Sequence, residues 1–213
     1  MNQINKYSFS FTGAAAMISE TLVVAEEYNR LNDWILVEKS LIENNLLNKV
    51  KQATFKREFR EIKKRLSLLT HDQLQIMIHG GLDDAKAMIL LSLVKTYSFF
   101  KDFIVEILSN KYLLFDYVLT ETDYTKFFNA KSLSHVELNE ITEATSNKVK
   151  QRVFTLLEQV GLITKTENGI ILRPILSKET LNAILKEDPA LLSSFLFSKE
   201  EIKVFLLKFN KDE

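Results

Sequence analysis

A mainly α-helical fold is the first expectation for this chain, and three observations lead to it. Only 2 prolines and 5 glycines occur among 213 residues, and helix interiors disfavour both. Apolar residues recur at helical spacing, most strictly in Phe55, Phe59, Ile62, Leu66 and Leu69. The one strong hairpin dipeptide, Asn168-Gly169, comes late, between Leu162-Ile163 and Ile170-Ile171-Leu172. These features divide the chain into an all-helical domain over residues 1–118, a smaller unit with one β-hairpin over 119–176, and a helical extension over 177–213.

The helices follow in order. Thr12 or Gly13 opens the first, which runs to about Asn29, and Ala14, Ala15 and Ala16 are small enough for close packing. Asn32 or Asp33 caps a second, DWILVEKSLIENNLL, which holds the sole tryptophan, Trp34. The Phe55 stripe marks a third over residues 54–69. A short DQLQIMIH helix is closed by Gly80-Gly81, and two richly apolar helices, 83–97 and 98–112, are central. Their greasiest window, AMILLSLV, is a buried helix and too short for the ~20 residues that a membrane span needs. Thr122 caps DYTKFF. Ser134 and Glu137 have capping-box spacing and start another helix. After Ile141, Thr142 caps a long helix with Glu143 in its first turn. Val149, Val153, Leu156, Leu157 and Val160 form its inner face, and Gly161 is its left-handed stop. Beyond Pro174, Ser177 starts a helix to about Lys186. In the tail, Ile202, Phe205, Leu206 and Phe209 make an apolar stripe expected to pack on the chain's own core.

Two helices followed by a hairpin is the order of a winged helix-turn-helix, whose second helix enters the DNA major groove. The outward side of the long helix carries Asn147, Lys148, Gln151 and Thr155, flanked by Lys150 and Arg152. Asn and Gln can bond adenine edges, and Lys and Arg can reach guanine or phosphate. Lys165 adds a cation in the hairpin. A second basic element lies earlier. Residues 49–65 hold eight basic side chains (Lys49, Lys51, Lys56, Arg57, Arg60, Lys63, Lys64, Arg65) against Glu58 and Glu61. Of these, Lys56, Arg60, Lys63 and Lys64 share the side away from the phenylalanines, so that helix offers a cationic face to an anionic partner. The formal net charge is zero, and nucleic-acid affinity must come from such patches and not from the global field.

Catalytic signatures are absent: there is no phosphate loop, GxSxG, HExxH or dinucleotide fingerprint. His71, His79 and His135 are scattered, and Asp83-Asp84 reads as a helix cap. No cysteine is present, which removes disulfide and thiolate chemistry and fits a reducing cytoplasm. No metal, cofactor, small-molecule substrate or membrane is called for. The expectation is a non-enzymatic protein with double-stranded DNA as partner. A protein-interaction adaptor and RNA binding through the helical domain are the alternatives.

Several stretches together resemble the BrxA family of BREX bacteriophage-defence systems. They are YSFSFTGAAAM from Tyr7, Asp33-Trp34, NNLL from Asn44, the KKRL that ends the basic helix, and TEATSNKVKQRVFTLLEQVGLI from Thr142. The similarity covers about residues 5–180. It implies a small, soluble, helical accessory protein that binds DNA, lacks enzymatic activity and has other BREX proteins as partners. It also implies that the helical part is similar to NusB-type RNA-binding folds.

Overall fold

The structure, a computed structural model, describes residues 6–165 and 169–212. Helix α5 (Leu82–Thr96) is wrapped by the rest of the chain because AMILLSLV has no side suited to water. Ala85 and every residue from Ala87 to Val94 are buried. Around it pack α1 (Ile18–Leu31), α3 (Gln52–Leu66), α4 (His71–His79), α6 (Ser98–Phe103) and α10 (Lys178–Glu187), with α2 (Trp34–Glu43) behind α1. Asp84, in the first turn of α5, ties that helix to α10 by accepting from Ser177 Oγ at 2.6 Å and Thr180 Oγ1 at 2.8 Å. Burial pushes the Asp84 carboxyl up, but these bonds and one from the Gly81 N–H outweigh it and hold it below its ordinary value. The predicted helix over 98–112 forms as one rod, α6 and α7 (Asn110–Leu113) joined by a π-helical segment, Ile104–Ser109. Eleven α-helices are present among the described residues, so the mainly α expectation holds.

The second half begins with β1 (Val118–Leu119), followed by α8 (Glu121–Ser132), a 3-10 turn (Val136–Leu138), α9 (Glu143–Gln159) and β2 (Gly169–Ile170). β1 pairs antiparallel with β2, Val118 opposite Ile170. Beyond it, Ile163 bridges Ile171, and Thr164 N–H donates to Ile170 O at 3.0 Å. The predicted arms thus pair, and β1 adds a third segment; Asn168 lies outside the described residues. The hydrophobic core runs without a gap across residue 118. Phe99 and Phe103 meet Tyr124 and Phe127 of α8 edge-on, with ring centroids 5.1–6.4 Å apart.

Three local expectations are corrected. The first helix does not start at Thr12 or Gly13: a 3-10 turn, Ser10–Gly13, is followed by extended backbone, and α1 begins at Ile18 after a left-handed Met17. Tertiary bonds hold that extended stretch open, because Ala16 N–H donates to Gln159 Oε1 at 2.8 Å and Arg65 Nη1 donates to Ala15 O at 2.9 Å. The capping box of Ser134 and Glu137 does not form, because the Glu137 carboxylate instead accepts from Tyr7 N–H at 2.6 Å. The helix expected there shrinks to the 3-10 turn. α8 is capped by Thr120, not Thr122, through a reciprocal pair with Asp123. By contrast, Thr142 caps α9 and Gly161 ends it at φ +80°, as read from the sequence. In the tail, α11 (Lys199–Asp212) turns Ile202, Phe205, Leu206 and Phe209 onto the chain's own core.

Candidate nucleic-acid interface

Helix α9 is fixed from below by Val149, Val153, Leu156 and Leu157, all fully buried. Three of its predicted contact residues are left exposed on the outer side: Asn147, Lys148 and Gln151. One turn of helix separates Asn147 from Gln151, so these three sit together. The flanking cations are engaged within the chain. Lys150 Nζ donates to Glu121 Oε2 at 2.7 Å, and Arg152 is half-buried with Nη2 3.5 Å from the carbonyl of Thr12. Lys165 is exposed on the arm beyond the helix.

Helix α3 carries Lys56, Arg57, Arg60 and Lys64 exposed, opposite buried Phe55, Phe59 and Ile62. Lys63 is half-buried, with its ammonium 5.6 Å from the centre of the Trp34 ring. Two of the eight basic residues counted in the sequence are engaged within the chain, and one of them, Arg65, is buried. Lys49 is paired with Glu20 and Glu58, at 2.9 Å each, and hydrogen bonds to both carboxylates hold its ammonium charged above the ordinary lysine range. Arg65, 1% exposed, donates from Nε to Tyr97 Oη at 3.0 Å, and Tyr97 donates to Glu61 at 2.6 Å. Burial pushes the Tyr97 phenol up to about 12. The phenol therefore stays protonated and keeps donating across any working pH.

Both helices pack on the Ser10–Gly13 turn. Residues 7–17 form a strap that enters by Tyr7, which stacks on His135 at 3.8 Å between centroids and donates from its hydroxyl to Asp102 at 2.6 Å. Phe11 then sinks into the core against Tyr97. Lys64 Nζ donates to Ser10 Oγ at 3.3 Å, and a Cβ placed on Gly13 would lie 3.7 Å from Arg57 Cδ. The candidate residues of α3 and α9 are therefore joined through this strap. Sequence reasoning singled out neither Arg57 nor Gly13. Arg57 was visible in the basic run, whereas nothing local to Gly13 marks it as the place where two helices meet.

Among the described residues, no group of three or more histidine, aspartate or glutamate side chains converges to hold a metal ion. No described helix is long and apolar enough to cross a membrane.

Comparison with known proteins bears on the identity of the chain. A protein named "BREX protein BrxA", from Bacillus cereus (strain H3081.97), is 25% identical over 149 residues, which cover 70% of this chain and 74% of that protein. An uncharacterized protein from Magnetospirillum magneticum, known from a crystal structure, superposes with a TM-score of 0.74 over 90% of this chain and 98% of its own, at 15% identity. That likeness speaks for the fold alone. The BrxA family profile matches residues 5–188, from the strap through α10. The chain belongs to the BrxA family.

Proposed function

We propose that the protein is a non-enzymatic, duplex-DNA-binding component of a BREX phage-defence system that works in the cytoplasm. The observation that carries this reading is the outer side of α9. Asn147, Lys148 and Gln151 stand exposed there on a helix whose opposite side is fully buried. The order of elements supports it: β1, α8, the 3-10 turn, α9, then an arm that folds back to pair with β1. In a winged helix-turn-helix the helix in the place of α9 enters the major groove. Base edges are then within reach of Asn147 and Gln151, and phosphates within reach of Lys148 and Lys165. The exposed cations of α3 add sequence-independent affinity through counterion release. Membership of the family and the naming of its relative as a BREX protein support the defence role.

A second reading is an adaptor that holds other BREX proteins. It is favoured by an apolar strip beside β1, where Leu114 is 77% exposed, Phe115 81% and Ile170 46%, with Tyr117 and Val118 between them. A salt titration of binding to duplex DNA, single-stranded DNA and duplex RNA separates these readings. The proposal predicts tightest binding to duplex DNA, with log Kobs falling steeply as log salt rises. Stronger binding to duplex RNA favours the RNA alternative. No salt-dependent binding to any nucleic acid leaves the adaptor.

A further inference from the structure

Three cations from two distant helices converge on one short turn. Lys64 reaches Ser10, Arg57 flanks Gly13, and Arg152 lies against the Thr12 carbonyl. None of the three forms an ion pair among the described residues, in contrast with Lys49, Lys111, Lys131 and Lys150. The acids nearby are already bound elsewhere. Glu61 is buried and accepts from Tyr97 and Ser10, while Glu20 and Glu58 face Lys49. At the end of the turn sits an exposed glycine, where the backbone is bare of any side chain.

We propose that one duplex-DNA backbone crosses the Ser10–Gly13 turn and is held there by Lys64, Arg57 and Arg152 together, so that α3 and α9 serve a single duplex along one track. The inference rests on the duplex-DNA reading above and adds where the strand runs. Like-charged side chains on one turn repel one another, and a phosphate backbone laid along them offsets that repulsion and releases counterions. Gly13 suits such a position because a side chain there would stand between Arg57 and the approaching strand. The adjoining cleft, about 480 Å³ and lined by Gly13, Glu20, Glu58 and Arg152, is not the seat of the phosphate. Its two carboxylates repel an anion, whereas Arg57 and Lys64 are not part of its lining.

Gly13→Glu tests this directly. Gly13 is exposed and its φ is not positive, and an added Cβ meets only Arg57 Cδ at an ordinary 3.7 Å. The fold should hold, with an unchanged circular dichroism spectrum and Tm. The carboxylate should lower duplex affinity and reduce the salt slope by about 2, as two to three phosphates at about 0.9 each go unneutralised. Gly13→Gln, which adds the side chain without the charge, should lower affinity less than Gly13→Glu and leave more of the salt slope. If Gly13→Glu lowers the Tm, the double variant Arg57→Gln with Arg152→Gln takes its place and should reduce the slope by about 1.8. A wild-type slope in these variants, while Lys148→Glu loses affinity, overturns the track and leaves DNA binding on α9 alone. So does a stoichiometry of two duplexes per chain. Absence of duplex binding by the wild-type protein overturns the underlying reading and the track with it.

Discussion

Helices α3 and α9 both carry basic residues, and the chain uses them differently. In and just before α3, the two ends of the run are engaged, Lys49 by Glu20 and Glu58 and Arg65 by the interior, which leaves Lys56, Arg57, Arg60 and Lys64 open. On α9 the reverse holds at the middle: Lys150 is tied to Glu121 and Arg152 turns to the strap, so Lys148 is the exposed cation among the predicted ones. A tally of charge along a helix therefore overstates what a partner can reach. What decides it is the neighbour across the gap, as Glu121 of α8 is for Lys150.

The strap is also what the two helices share, and removing its anchor is the largest change expected. Phe11 is fully buried and meets Tyr97 at 5.2 Å. Phe11→Ala should cost about 3–5 kcal/mol in a denaturant melt, the usual range for a large aromatic removed from a core. Arg60→Ala, on the open face of α3, should stay within about 0.5 kcal/mol. Equal effects from the two would mean that the strap does not join the helices.

A smaller effect separates the two ends of the strap by pH. At the Tyr7 end, Glu137 accepts from Tyr7 N–H and lies 3.1 Å from His135 Nδ1. Burial pushes its carboxyl up, but these bonds outweigh it and hold it below the ordinary 4.5. A carboxyl depressed by folding takes up its proton first in the unfolded chain. Its contribution is therefore complete above about pH 4.5 and is lost as pH falls through the lower folded value. At the other end, Arg65 donates to the carbonyl of Ala15 at 2.9 Å. Glu137→Gln should cost about 1–2 kcal/mol at neutral pH and flatten the fall of stability in acid. An acid limb as steep as that of the wild type would mean that Glu137 is not the group that loosens this end.

These contrasts also explain what the sequence made legible. The cap at Thr142, the buried face from Val149 to Val160 and the stop at Gly161 depend on residues a few positions apart, and all three were readable. So was the burial of α5, because a helix apolar on every side can lie only in a core. The Ser134–Glu137 box failed because Glu137 is claimed by Tyr7, 130 residues away. The start of α1 failed because Gln159 and Arg65 bond the backbone of the strap. The candidate site divides in the same way. Helical spacing put Asn147, Lys148 and Gln151 on one side, but could not show that Glu121 holds Lys150 or that Arg152 lies on Thr12.

The most direct test of the central claim, that duplex DNA is held by the cations left free on α3 and α9, is the salt slope of binding measured in matched variants. Substituting Lys56, Arg60, Lys63 and Lys64 by Gln should flatten the slope by about 0.9 for every phosphate that is no longer neutralised, and Lys148→Gln by about 0.9. Lys150→Gln should change it less, since Glu121 already holds that charge. Wild-type slopes in all three variants, or duplex binding indifferent to salt, would contradict the account.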